Sequence, residues 1–339
     1  MRVTSSSKAI LLLRLGLFAG ILGALLWAWA KLDWGLVRHE LGNADVSYEI
    51  AMAAAWILAL FIRPLRMVVL IRTMAPEARR GYWPVWSADI VAMAMNSVIP
   101  MRAGDVMMAF SLRRSIGIRA ARGTSVVVVD RFFDFATVLV IFVMTLAMAP
   151  TVIPWAQNIT LSIVLALLLL AGGLWASIRF GGVWLELFER ALSRALPQRV
   201  VQALRPAHDL VAGLALVDRL PIVGVVAALS VVQWAVITSS YWFGISAFLP
   251  GVSVAAAGFA ACAVALSFIV PIAPGGFGVF HGAVVLALSL FGVPFEPALA
   301  FAIVAHAFQM GSVVVIGIVC FLWQGVSLRE LANARDTNP

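Results

Sequence analysis

The chain has 339 residues, 63% of them hydrophobic and only 12% charged, with a formal net charge of +8. Its mean hydropathy is +1.02. Soluble domains carry roughly 25% charged residues, so a water-soluble globular protein is excluded and a polytopic, all-α integral membrane protein is implied.

Runs of about twenty apolar residues are enough to cross a hydrocarbon layer about 30 Å thick. In chain order the predicted full spans are Ile10–Ala30, Val46–Ile62, Gly123–Ala149, Gln157–Ile178, Pro221–Leu249 and Leu299–Trp323. The turn after the first span mixes Lys31 and Arg38 with Asp33, Glu40, Asp45 and Glu49. The segments after the second and fourth spans are basic instead. Arg63, Arg66, Arg72, Arg79 and Arg80 follow the second, and Arg179, Arg190, Arg194, Arg199, Arg205 and Arg219 follow the fourth. Most of the 24 Lys and Arg thus fall on one side, which the positive-inside rule makes the cytoplasm, with both termini there. Residues 180–220 place apolar residues at helical spacing between Arg and Glu, the pattern of cytoplasmic interfacial helices. Cys262 and Cys320 lie in apolar segments without metal-type spacing and read as core residues.

Two apolar segments begin and end on one face. "VWSADIVAMAMNSVIPMRAGDVMMAFSLRR" starts and finishes beside cytoplasmic arginines, and the segment from Val252 to Val293 starts and finishes outside. Each is interrupted by Pro-x-x-x-Gly, at Pro100 with Gly104 and at Pro271 with Gly275. Both read as re-entrant helical hairpins entered from opposite faces; complete crossings by each arm are the alternative. Residues 1–149 and 157–325 then share one plan in opposite directions. The expected architecture is one transmembrane domain of about six full spans plus two hairpins, arranged as an inverted-topology repeat. Such repeats place a shared site near the midplane.

Irregular backbone survives at membrane depth only where protein or a water-filled cavity surrounds it. Proline ends the incoming arm and glycine permits positive φ. The outgoing arm then begins with free amide donors and the positive end of a helix dipole, a natural partner for phosphate. Gly104, Pro271, Gly275 and Gly276 form these breaks; a kink filled by neighbouring helices is the competing reading. Arg102 stands within the first tip, where it either binds an anionic headgroup bidentately or pairs with Asp105 nearby. Asn96 precedes the tip and can satisfy freed backbone groups.

"VVVVDRFFD" puts Asp130, Arg131 and Asp134 inside a span. Asp130 and Asp134 share a face, and Arg131 reaches Asp134 at i,i+3. Three charges at a helix centre cost up to about 10 kcal/mol on insertion scales, so they must pair or face a wet cavity. A structural ion-pair cluster, a lipid-phosphate contact by Arg131 and proton coupling by either aspartate are all consistent with this pattern. In the second half His281 follows the tip and His306 stands in the last span. They are either titratable groups facing one site or hydrogen-bonded core residues. No Ser-His-Asp order, Walker loop, zinc spacing or dinucleotide-binding glycine pattern is present. No enzyme activity, cofactor or metal is expected, nor a nucleic-acid partner.

"NSVIPMRAGDVMMAFSLRR", "VVVVDRFFD" and "VPIAPGGFGVFHGAVVLALSLFGV" together resemble the lysylphosphatidylglycerol synthase transmembrane-region family over nearly the whole chain. "RPLRMVVLIR" resembles the basic stretch after that family's second span. The resemblance implies a stand-alone, flippase-like membrane protein of the bacterial inner membrane, without the aminoacyl-transferase domain. Its expected cargo is an anionic or polar-headed lipid: a phospholipid, a polyprenyl-linked glycolipid or a hopanoid. The alternatives are a non-transporting partner that presents lipid to a separate biosynthetic enzyme, and an intramembrane lipid-modifying enzyme. His281 and His306 depart from the family pattern, which carries an acidic residue and an arginine at those places.

Overall fold

The computed structural model describes residues 34–79, 81–98, 103–149, 220–268 and 274–323, with eight further positions between 162 and 187. The expected first span, most of the fourth, most of the linker 180–220, and Pro100, Arg102 and Pro271 lie outside the described residues. Among the described residues every regular element is helical. In order these are α1 (Trp34–Asn43), α2 (Val46–Met74), α3 (Tyr82–Val98), α4 (Ala103–Ile116), α5 (Ala120–Leu146), α6 (Leu220–Phe248), α7 (Val254–Ser267), a 3-10 turn (Pro274–Gly276), α8 (Val279–Ser289) and α9 (Phe295–Trp323).

By length and composition α2, α6 from Pro221 onward, and α9 can cross a membrane. The 27 residues of α5 are long enough as well, but Asp130, Arg131 and Asp134 interrupt their apolar run. At 1.5 Å per residue, the 14 residues of α7 and the 11 of α8 cover about 21 and 16 Å. Each falls short of a hydrocarbon layer about 30 Å thick.

The second span is longer than the sequence indicates. Val46–Ile62 was expected to end at a cytoplasmic basic segment, yet α2 runs unbroken for 29 residues through Pro64 to Met74. Arg63 and Arg66 are therefore buried in the bundle rather than lying on the cytoplasmic surface. Proline removes one amide donor and loosens a turn; the Tyr82 hydroxyl donates to the Phe61 carbonyl there at 2.6 Å. Asp45 caps the helix start, its carboxylate accepting from the Ser47 amide at 2.8 Å.

α2 and α6 pack side by side in opposite directions. The Asp45 amide donates to Ala247 O at 3.0 Å, the Ser240 hydroxyl to Met52 O at 2.9 Å, and Arg66 Nη1 to the Ser230 hydroxyl at 2.8 Å. Around this pair the two halves exchange helices. α3 pairs with α4 and α7 with α8, while α5 packs on α7 and α9 packs on α3. The turn after α2 docks on the turn before α5, with the Arg79 amide donating to Ile116 O at 2.8 Å. Arg122 Nη1 spans both Glu77 carboxylate oxygens at 2.8 and 2.7 Å in the same place. One apolar core surrounds α7 and α8 and another surrounds α3 and α4. Cys262 and Cys320 are unpaired and buried, as their apolar surroundings imply.

Candidate functional site

Three helices bring charged side chains together in the bundle, and a fourth adds uncharged polar partners. α2 contributes Arg63 and Arg66, α3 contributes Asp89, and α5 contributes Asp130, Arg131 and Asp134. α6 faces them with Ser230, Gln233 and Trp234. Asp130 lies ten residues into α5 and Arg66 eight residues before the end of α2, about 15 and 12 Å from the face where those ends meet. The cluster is thus about two to three helical turns inside the bundle from that end.

Arg66 is its hub. Nε donates to Asp130 Oδ1 at 2.6 Å, and Nη1 lies 3.4 Å from Asp134 Oδ1 and 2.8 Å from the Ser230 hydroxyl. Trp234 Nε1 donates to Asp134 Oδ1 at 2.9 Å, with Gln233 Nε2 at 3.4 Å from the same oxygen. Charge-assisted bonds of this kind are what make buried charges tolerable in a low dielectric. Arg131 approaches Asp134 Oδ2 at 3.8 Å across one helical turn, as the i,i+3 spacing requires. Those two side chains, at 26% and 19% exposure, are the open edge of a cluster otherwise almost sealed. Asp89 is different: its nearest cation is Arg63, with Nε at 3.5 Å from Oδ2, and neither carboxylate oxygen accepts a hydrogen bond.

The helix breaks form the second part of the site. Asn96, near the end of α3, accepts the Gly104 amide on Oδ1 at 2.8 Å, so it ties the two arms of the first hairpin across the turn. A Cβ at Gly104 would run into Ala92 O and the Asn96 side chain, so only glycine lets α4 approach α3 this closely. In the second break Gly275 has φ +63°, and a Cβ there would meet Ser97 O at 3.1 Å. The second tip therefore touches the last turn of α3 in the first hairpin. Gly276 also lies at positive φ, with the Phe268 ring where a Cβ would go.

His306 on α9 holds this tip. Its Nε2 lies 2.8 Å from Gly275 O; a carbonyl only accepts, so Nε2 carries the proton. The Phe280 ring stacks on the imidazole at 4.7 Å, and Phe277 meets its edge at 5.0 Å. His281 from α8 stands edge-on with its centroid 5.0 Å away. His281 and His306 are thus neighbours.

Of the residues singled out in the sequence, Asp130, Arg131 and Asp134 fall in one cluster and Gly275, Gly276, His281 and His306 in another. Asn96 and Gly104 link the arms that lead to the second. Asp89, Gln233 and Trp234 escaped the sequence reading, and Arg63 and Arg66 were placed in a cytoplasmic basic segment instead of the bundle. For the arginines a signal existed: "LRMVVLIRTM" continues the largely apolar run beyond Pro64 for another ten residues. Asp89, Gln233 and Trp234 are single polar positions in apolar runs, and their partners are distant in sequence.

A comparison with curated proteins gives no match. The family model described as the lysylphosphatidylglycerol synthase TM region matches residues 11–317. That match covers most of the chain, including both helix breaks and the Arg–Asp cluster, and the protein belongs to this family of membrane domains.

Proposed function

We propose that the protein is a flippase-like transporter that carries the polar head of a lipid across the membrane while the tails stay in the bilayer. The observation that carries this reading is the approach of Gly275 to Ser97 O, which brings the break in one hairpin against the other hairpin. In this reading α3 with α4 and α7 with α8 are re-entrant, entered from opposite faces, and the two halves form an inverted repeat about the α2–α6 pair. The short lengths of α7 and α8 support it, as does the exchange of α5 and α9 between halves. Broken helices lend amide donors to a passing headgroup, and lipid passage does not require any bond to be made or broken by this chain.

The headgroup path runs from the open edge of the cluster, at Arg131 and Asp134, toward the tip at Gly275 and Gly276. Arg131 and Arg102 hold an anionic group, and Asp130 and Asp134 orient the arginines. Both termini face the cytoplasm of a bacterial inner membrane, and the membrane lipids themselves are the partners.

The test is transbilayer movement of fluorescent phospholipids in proteoliposomes. Movement faster than in protein-free vesicles is expected. Equal rates with well-folded protein overturn the reading, and stable co-purification with a lipid-synthesising enzyme would then favour a lipid-presenting role.

A further inference from the structure

Asp89 plays no part in the network that holds Arg66. Its side chain is wholly buried, it sits seven residues into α3, about 10 Å from that helix's start, and neither oxygen accepts a hydrogen bond. Asp130 and Asp134, by contrast, each accept a charge-assisted bond from Arg66. The charged groups acting on Asp89 are Arg63 on α2 and Arg131, Asp130 and Asp134 on α5. The Tyr82 hydroxyl, at the start of α3, lies within its field. From α9 the Cys320 thiol faces Ser87 on the same helix, and α4 ends in the exposed Arg113 and Arg114.

We infer that Asp89 is a proton-binding site, and that proton binding there and anionic headgroup binding at the cluster favour each other. Among the described residues, with all three aspartates ionised, Arg63, Arg66 and Arg131 are balanced by Asp89, Asp130 and Asp134, which leaves no net charge to offer a phosphate. An ionised carboxylate in a dry interior costs several kcal/mol unless donors surround it. Asp89 has no such donors, so a proton on its carboxylate relieves that cost. Protonation leaves one net positive charge, centred on Arg63, whose Nε and Nη2 make no hydrogen bond. That charge draws a phosphate from the open edge. Linkage makes the effect reciprocal: bound phosphate strengthens the hold on the proton.

The coupling rests on the transport reading, but the proton site does not, and the experiment has two arms for that reason. Infrared spectroscopy of the full protein in lipid nanodiscs, titrated with pH, reads the proton site directly. A protonated-carboxyl band is expected that Asp89→Asn removes and Asp134→Asn leaves. Arg63→Gln removes the nearest cation and should keep the band to higher pH. A band that survives Asp89→Asn, or no band at any pH, overturns the assignment, as does an unchanged titration in Arg63→Gln. The second arm measures binding of short-chain phosphatidylglycerol. Affinity should rise at least about fivefold from neutral to acidic pH in the wild type, the low end of ordinary coupling, and be pH-independent in Asp89→Asn. Equal pH slopes in the two proteins overturn the coupling. Absence of binding at any pH overturns the coupling, while the infrared result stands on its own and the transport reading is decided by the proteoliposome assay.

Discussion

Arg66 and Asp130 meet at 2.6 Å across 64 positions of sequence, with side-chain exposures of 0% and 2%. Ser230 and Asp134 take another of its nitrogens, so a single guanidinium joins α2, α5 and α6. Breaking one side of a buried pair strands the other charge and costs about 3–5 kcal/mol, whereas replacing both by apolar groups is often neutral. Arg66→Met should therefore lower thermal stability sharply in detergent, and Arg66→Met with Asp130→Leu should recover much of the loss. Additive losses in the double mutant would show that the two residues do not depend on each other.

Arg131 is expected to behave otherwise. Its contact with Asp134 is longer, at 3.8 Å, and partly exposed, and open ion pairs contribute about 0–1 kcal/mol. Arg131→Gln should leave the unfolding temperature within a few degrees of wild type and slow lipid movement at least tenfold. Loss of folding instead would make Arg131 a scaffold residue.

Gly275 is constrained twice, by a φ of +63° and by the Ser97 carbonyl oxygen, 3.1 Å from where a Cβ would sit. A side chain in the left-handed region costs about 1–2 kcal/mol, and the tight approach to Ser97 O must widen slightly to admit a methyl group. Gly275→Ala should retain the helical circular-dichroism signal while lowering transport. Wild-type transport in this variant would place the path elsewhere.

His306 donates to Gly275 O in apolar surroundings. His306→Leu leaves that carbonyl without its donor, a loss of about 1–3 kcal/mol. His306→Gln, which keeps an N–H, should recover part of it. Thermal unfolding of the three proteins side by side checks the order wild type, Gln, Leu.

The membrane class, the spans that form α2, α6 and α9, both helix breaks and the need to neutralise Asp130, Arg131 and Asp134 were legible in the sequence. Each is a local property: apolar run length, a proline and glycine in the wrong place for a helix, charges in an apolar window. The Arg131–Asp134 contact belongs with them, because i,i+3 spacing is geometry along one helix. The role of Asn96 was legible too, since it lies close in sequence to the turn whose Gly104 amide it accepts.

The identity of the main counter-charge was not legible. Arg66 sits in a stretch that reads as a basic cytoplasmic segment ended by Pro64, and nothing local distinguishes an arginine at a surface from one inside a bundle. The neighbouring helices decide. α6 supplies Ser230 and Trp234, α5 supplies the aspartates, and with those partners in place it becomes cheaper to continue α2 past the proline than to end it. The meeting of Gly275 with Ser97, and of His281 with His306, follows the same rule. Sequence determines which groups cannot be left alone at membrane depth, whereas only tertiary packing decides which group answers each of them, because the partners lie many tens of residues away and on different helices.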